Sequence, residues 1–318
     1  MSKVFITDYI TKPDIETSIL GEDLSSSSSK SIEVLLVWHQ KIDAQYLDNY
    51  PNLRGVVRYG VGFDNIDLNE IRRRNLVFCN TPDYGTDEVS DSALSMILNH
   101  TRGVHAYNQF SKKYFDSWQE NIISAIRRTS EISIGVIGAG RIGTALIRKA
   151  FNVGFKVSFF DPYKPSGYEK AIRASRFYDM DSLLNNSDVI SIHTPLTSET
   201  RGMVDKEFLR KMKKGAVLIN TARGEIVKNL DDLYHEIINN RISGIGLDVL
   251  PQEPPKSSQL IDLWRNNDVS ISHKIIINPH TSYYSISALE EMRTKASENA
   301  KRIIYGEKPL NIIASGTK

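Results

Sequence analysis

Short apolar runs rich in β-branched residues alternate along this chain with longer stretches whose apolar residues recur every three or four positions. In the second half the runs fall at 132–137, 157–160, 189–192, 217–219, 245–249 and 275–277. Helix-patterned stretches lie between them at 142–152, 180–186, 206–212 and 230–240. A run that is apolar at nearly every position is buried on both faces. Strands of that kind alternating with helices predict a parallel sheet with helices on each side. Weaker runs at 3–7, 33–38, 55–58 and 76–79 predict a smaller α/β lobe ahead of it. A last helical pattern, 287–305, carries Leu289, Met292, Ala296, Ala300 and Ile303 and stops at Gly306 and Pro309. Because it follows the last strand of the second lobe, it is expected to cross back to the first. The serine run 25–29 reads as a solvated loop.

At 318 residues the chain has room for two ordinary domains. Its 40 Lys and Arg against 38 Asp and Glu give no basic surplus for a nucleic acid. The cluster Arg72-Arg73-Arg74 reads as a solvated helix face. The lone cysteine, Cys79, cannot form an internal disulfide and sits in an apolar run, so it reads as a packing residue in a reducing compartment. No apolar stretch approaches the roughly 18 to 20 residues of a membrane helix, and no signal-peptide core follows Met1. A soluble cytoplasmic protein with no nucleic-acid, membrane or metal partner is expected.

The run 132–137 leads into Gly138-Ala139-Gly140-Arg141-Ile142-Gly143 and then a helix. In this pattern Gly138 permits a tight turn, Gly140 lets a pyrophosphate approach the backbone, and Gly143 lets helix and strand pack closely. The pyrophosphate then meets the N–H groups of a helix start at Arg141 and Ile142. Asp161 ends the next strand 23 residues after Gly138, where about 20 is expected. Its carboxylate can accept from the adenosine ribose and repels a 2′-phosphate, which favours NAD, although Lys164 lies nearby. Ligands of open parallel sheets bind at the carboxyl ends of the strands. That rule gathers His193, Asn220, Thr221, Asp248 and Asn278 around the same cofactor.

Three more strand-end residues make chemical sense together. Arg223 can hold a carboxylate through two parallel hydrogen bonds. His280 can exchange the proton that accompanies hydride transfer, and Glu253 can orient its imidazole. Singly, Arg223 and Glu253 read as surface ion-pair partners and His280 as a loop residue. Their joint placement behind a dinucleotide motif favours chemistry.

These strings, in order over nearly the whole chain, resemble the D-isomer-specific 2-hydroxyacid dehydrogenases. They are Gly60-Val61-Gly62-Phe63-Asp64-Asn65-Ile66-Asp67, the glycine motif, His193-Thr194-Pro195-Leu196-Thr197, Asn220-Thr221-Ala222-Arg223-Gly224, Gly246-Leu247-Asp248-Val249 with Glu253-Pro254, and Asn278-Pro279-His280. The resemblance implies an α/β fold of two Rossmann-like lobes. A doubly wound parallel-sheet NAD-binding domain, 104–285, is inserted into a smaller flavodoxin-like substrate domain, 1–103, completed by the C-terminal helix in 286–318. It implies the catalytic trio Arg223, Glu253 and His280. It also implies a substrate carboxylate held by backbone N–H groups near Val61 and Gly62, and a homodimer paired through the NAD-binding domain with an arm at about 101–128 that includes Trp118.

Some details resemble the subgroup containing the C-terminal-binding protein corepressors. Arg58 stands where that subgroup has a second substrate arginine, Asp87-Glu88-Val89-Ser90-Asp91 resembles its acidic helix start, and Tyr283 replaces a substrate-contacting tryptophan. Trp38-His39 also faces the substrate in this reading. The interval from Glu253 to His280 is longer than usual, which marks 257–273 as an insertion. The expected activity is NAD-dependent hydride transfer between a small 2-oxo acid and its (R)-2-hydroxy acid. The alternatives are an NAD(H)-sensing corepressor-like binding protein, or the same fold acting on phosphoglycerate or a phosphonate-type substrate.

Overall fold

The structure, a computed structural model, describes residues 2–112, 123, 126–268 and 270–316. Its strands in chain order are β1 (Val4–Ile6), β2 (Leu24–Ser25), β3 (Val34–Val37), β4 (Gly55–Arg58), β5 (Val77–Cys79), β6 (Ser133–Ile137), β7 (Lys156–Phe160), β8 (Ser175–Arg176), β9 (Val189–Ile192), β10 (Ala216–Asn220), β11 (Ile242–Leu247), β12 (Ile275–Ile277) and β13 (Ile312–Ser315). They fall into two compact units, Met1–Gly85 with Tyr284–Lys318 and Thr86–Tyr283.

The second unit holds a parallel sheet in the order β12-β11-β10-β9-β6-β7-β8. Successive residues of its strands serve opposite faces. Leu218 and Ile190 pack with Leu183, Leu209 and Leu233, whereas Val217, Ile219 and Val189 pack with Ile97, Leu146 and Ile147. This two-sided burial is why the runs lack an apolar–polar alternation. From β6 the chain winds outward to β8, then returns to β9 and winds the other way. The reversal opens a crevice at the carboxyl ends of β6 and β9.

The helix Thr86–Thr101 packs on the helix Arg141–Val153 and on β10 and β11. Its Ala93, Met96 and Ile97 join the second unit's core, and Lys149 donates to Asp91 Oδ1 at 2.7 Å and Ser90 Oγ at 2.9 Å. Residues 86–103, placed in the first lobe from the sequence, therefore lie with the second, and the return falls at Tyr283/Tyr284. The long interval after Glu253 forms the helix Gln259–Arg265, capped by Ser258. Its Leu260 and Ile261 fill the core on the opposite face of the sheet, with Leu183, Leu209 and Leu233. The expected dimerising arm begins as the helix Val104–Ser111, and most of the rest, with Trp118, lies outside the described residues.

The first unit's sheet runs β13-β5-β4-β3-β1-β2. Its parallel part has the 2-1-3-4-5 order of flavodoxin-like sheets, and β13 pairs antiparallel with β5. The helix Ile286–Ile304 belongs to this unit and packs on β3, β4 and the helix Asp14–Leu20. Its first turn is capped by Ser285 Oγ, which accepts from Ala288 N at 2.9 Å. The two-residue strands β2 and β8 carry no run long enough to be read from sequence, β13 is not among the expected strands, and Ser25, read as loop, ends β2. Burial pushes the Cys79 thiol up to about 12, in keeping with a packing residue. Among the described residues no helix is long and apolar enough to cross a membrane.

Candidate active site

The dinucleotide turn links β6 to the helix Arg141–Val153. Gly138 has φ +90°, and a side chain there would come within 2.7 Å of the His193 carbonyl oxygen. A Cβ at Gly143 would lie 2.0 Å from the Gly138 carbonyl oxygen, so helix and turn touch through bare backbone. At Gly140 a Cβ would meet nothing within 4 Å, which leaves that backbone and the helix start at Arg141 and Ile142 approachable. Asp161, just past β7, is nearly buried. Its Oδ2 accepts from Ala139 N and its Oδ1 from Tyr163 N, both at 2.9 Å. The carboxylate thus ties the glycine turn to the end of β7 and keeps lone pairs for a further donor. An open groove of about 760 Å³ beside the turn is lined by Gly140, Arg141, Thr144, Lys164 and Tyr168, among others.

Beyond β9 and β10 lie His193-Thr194-Pro195 and Thr221-Ala222. His193 Nδ1, Thr194 Oγ1 and Thr221 Oγ1 are buried without a hydrogen-bond partner. Leaving such an atom unsatisfied costs about 1–3 kcal/mol each, so this strand edge is built for a polar guest. With the open glycine turn and the pinned Asp161, it fits a nicotinamide dinucleotide. His193 itself is not a proton donor. Burial pulls its pKa down to about 4, and Nε2 lies 2.8 Å from Ser191 Oγ.

The same sheet edge carries the three side chains expected to take part in the chemistry. At the end of β10, Asn220 folds the next turn on itself, with Oδ1 accepting from Ala222 N at 3.0 Å and Nδ2 donating to Arg223 O at 2.9 Å. Glu253 Oε1 accepts from Leu250 N at 2.9 Å, and Oε2 lies 2.7 Å from His280 Nδ1. Partial burial works to raise the Glu253 pKa. The hydrogen bond and charge of His280, then the Leu250 N–H, and last the charge of Arg223, outweigh it and hold the carboxyl below its usual range. The structure therefore brings Arg223, Glu253 and His280 together, with the ring of Tyr283 edge-on to His280 at 6.3 Å.

Asp248, expected at the cofactor, grips the loop of His280. Its Oδ1 accepts from Thr281 N at 2.8 Å and its Oδ2 from Ser282 N at 3.0 Å. His280 needs such a hold because its own φ is +56°. Asp248→Ala should lower kcat by about tenfold to a hundredfold, the scale of a small misplacement of a catalytic group, and change NADH affinity little. A normal kcat with NADH binding lost would return Asp248 to the cofactor.

The first unit carries its own set. Past β4, Thr81 Oγ1 donates to Arg58 O at 3.0 Å, Thr81 N to Gly60 O at 3.3 Å, and Asn80 Nδ2 to Val61 O at 2.7 Å. With those carbonyls held on one side, the N–H groups of Val61 and Gly62 make no hydrogen bond among the described residues. A side chain at Gly60 would meet Arg58 Nη1 at 3.0 Å, so the guanidinium lies over this turn. Asn80 and Thr81 did not stand out in the sequence, although polar residues directly after a buried strand are the signal that would find them. Trp38 is buried against Tyr9 and Tyr59.

A doubly wound sheet whose strand ends join a dinucleotide turn to an arginine, a glutamate and a histidine defines a nicotinamide-dependent oxidoreductase. Residues 94–282 match the family model for the D-isomer specific 2-hydroxyacid dehydrogenase, NAD binding domain. The chain is 32% identical over 294 residues to a glyoxylate reductase of Thermofilum pendens, covering 92% of this chain and 84% of the other. It is 28% identical over 317 residues to C-terminal-binding protein 1 of Caenorhabditis elegans, covering 98% of this chain and 41% of the other. A solved structure of D-lactate dehydrogenase from Aquifex aeolicus, complexed with NAD and lactic acid, matches with a TM-score of 0.86 at 27% identity, covering 99% of this chain and 100% of that one. The chain belongs to the D-isomer-specific 2-hydroxyacid dehydrogenases. It is an NAD-dependent oxidoreductase that works between a 2-oxo acid and a 2-hydroxy acid.

Proposed function

We propose that the chain reduces a small 2-oxo acid, of the size of glyoxylate or pyruvate, to the matching 2-hydroxy acid, of R configuration where that carbon is chiral, with Arg223, Glu253 and His280 as its catalytic residues. Bound NADH supplies the hydride. His280 gives the carbonyl oxygen its proton from Nε2, because Nδ1 is engaged by Glu253. The Glu253 carboxylate orients the ring and favours its protonated form. Arg223 takes the substrate carboxylate in its fork of N–H donors and polarises the adjacent carbonyl. Within the first unit, the N–H groups of Val61 and Gly62, with Arg58, are donors suited to a carboxylate, and within the second unit Tyr283, beside His280, borders the substrate. Gly138, Gly140, Arg141, Ile142, Gly143, Asp161, His193, Thr194, Pro195, Thr221 and Ala222 hold the dinucleotide.

The observation that carries this reading is the 2.7 Å pair of His280 and Glu253, with the charge of Arg223 acting on the same carboxylate. Mixing the protein with NADH and a panel of 2-oxo acids should give loss of nicotinamide absorbance with at least one small member. If NADH binds and shifts assembly while no 2-oxo acid turns over, the corepressor-like sensor takes its place. A cytoplasmic homodimer paired through the second unit belongs to the same proposal. Exposed Val104, Phe151 and Val153 on that unit support the pairing. Light scattering that gives a monomer at micromolar concentration would overturn it.

A further inference from the structure

Glu16 and Tyr59 are both fully buried in the first unit. Glu16 stands on the helix Asp14–Leu20, Tyr59 directly follows β4, and Arg293 lies on the helix Ile286–Ile304. Arg293 grips the Glu16 carboxylate with two parallel bonds, Nε to Oε1 at 3.0 Å and Nη2 to Oε2 at 2.5 Å. Nη2 also donates to Asp14 Oδ1 at 2.6 Å and to Lys12 O at 2.8 Å. The Tyr59 hydroxyl donates to Glu16 Oε1 at 3.0 Å. Burial, then the neighbouring Glu16 charge, pushes this phenol well above its usual range, so it remains a donor.

A buried ion pair is a poor source of stability. Well-packed apolar side chains of similar volume commonly do as well, because desolvating both charges offsets their attraction. What charges add is direction, and here it falls on residue 59, between Arg58 and Gly60. On the neighbouring side Asn80 and Thr81 hold the carbonyls of Arg58, Gly60 and Val61. The strand end is thus clamped by its carbonyls through Asn80 and Thr81 and by the Tyr59 side chain through Glu16.

We propose that Glu16 and Arg293 are positioning residues for substrate binding, acting through the Tyr59 hydroxyl to fix the backbone from Arg58 to Gly62. The proposal rests on the reading that Arg58 and the N–H groups of Val61 and Gly62 bind the substrate carboxylate. Releasing the clamp lets those donors turn and weakens binding of the 2-oxo acid. His280 and the dinucleotide turn belong to the other unit and are untouched. The signature is therefore a raised KM at an unchanged kcat, the mark of lost uniform binding.

Tyr59→Phe, Glu16→Gln and Arg58→Ala are compared with Ile71→Val, a trimmed core residue of the same unit, in steady-state kinetics, NADH titration and thermal unfolding. Tyr59→Phe should raise KM for the 2-oxo acid about three- to tenfold, the worth of one ordinary hydrogen bond, with kcat and NADH affinity within about twofold. Glu16→Gln should move KM further. Ile71→Val should lower Tm and leave KM alone. A Tyr59→Phe protein with wild-type KM, beside an Arg58→Ala protein with raised KM, overturns the positioning role and keeps the substrate-loop reading. If neither variant moves KM, both fail. If Tyr59→Phe moves it and Arg58→Ala does not, the clamp stands and acts through the N–H groups of Val61 and Gly62.

Discussion

Replacing His280 with alanine should cut kcat about a hundred- to ten-thousandfold, the usual worth of a positioned proton donor, and leave NADH binding intact. Two other histidines of the second unit do not suit the task. His100 and His193 are half-buried, and desolvation of each ring brings its pKa down to about 4. Neither holds a proton at neutral pH. His280 is 42% exposed at its side chain and is bonded to a carboxylate. Removing the imidazole deletes the donor while the glycine turn, Asp161 and the buried polar atoms beyond β9 and β10 remain. Stopped-flow turnover and a fluorescence titration of NADH separate the two effects. An alanine variant with wild-type turnover would end the assignment. The Glu253 carboxyl is held below its ordinary value of 4.5, so the group stays charged to lower pH than a free glutamate. Any acid limb it contributes to the kcat profile therefore lies below pH 4.5, and Glu253→Gln should abolish that limb.

Much of this arrangement is legible in the sequence because its signals are local. The glycine turn needs particular backbone space, and the residues after each apolar run must sit at strand ends if the runs are parallel strands. Sequence distance hides the rest. The helix Thr86–Thr101 has apolar spacing that suits either lobe. Its placement is decided by partners far along the chain, such as Lys149 at Asp91 and His100 Nε2, 3.0 Å from Ile245 O. The pair of Glu16 and Arg293 spans almost the whole chain, and nothing near either residue announces it. Asp248 ends a strand as a cofactor contact would, yet its oxygens turn to the backbone after His280. Strand order can place a residue at the site edge, but only packing decides which way its side chain faces.

The dinucleotide turn offers a second large effect, in a pair of substitutions that separate folding from binding. A Cβ at residue 143 would stand 2.0 Å from the Gly138 carbonyl oxygen and 3.1 Å from its carbon. Both are backbone atoms of a turn already constrained at φ +90°, so neither side can yield cheaply. Gly143→Ala should destabilise the second unit by about 3 kcal/mol or more. That lowers Tm by roughly 6–12 °C for a unit of this size, and NADH binding should fall with it as the helix start is pushed off the turn. Gly140→Ala is the contrasting case. Its methyl meets nothing within 4 Å, so the unliganded protein should unfold at the wild-type temperature. If the backbone at 140 is where the pyrophosphate comes close, that methyl stands in its way, and NADH affinity should drop about tenfold or more at unchanged Tm. Calorimetric unfolding with and without NADH reads both variants. A Gly140→Ala protein that binds NADH as tightly as wild type would move the pyrophosphate away from this turn, even if Gly143→Ala behaved as expected.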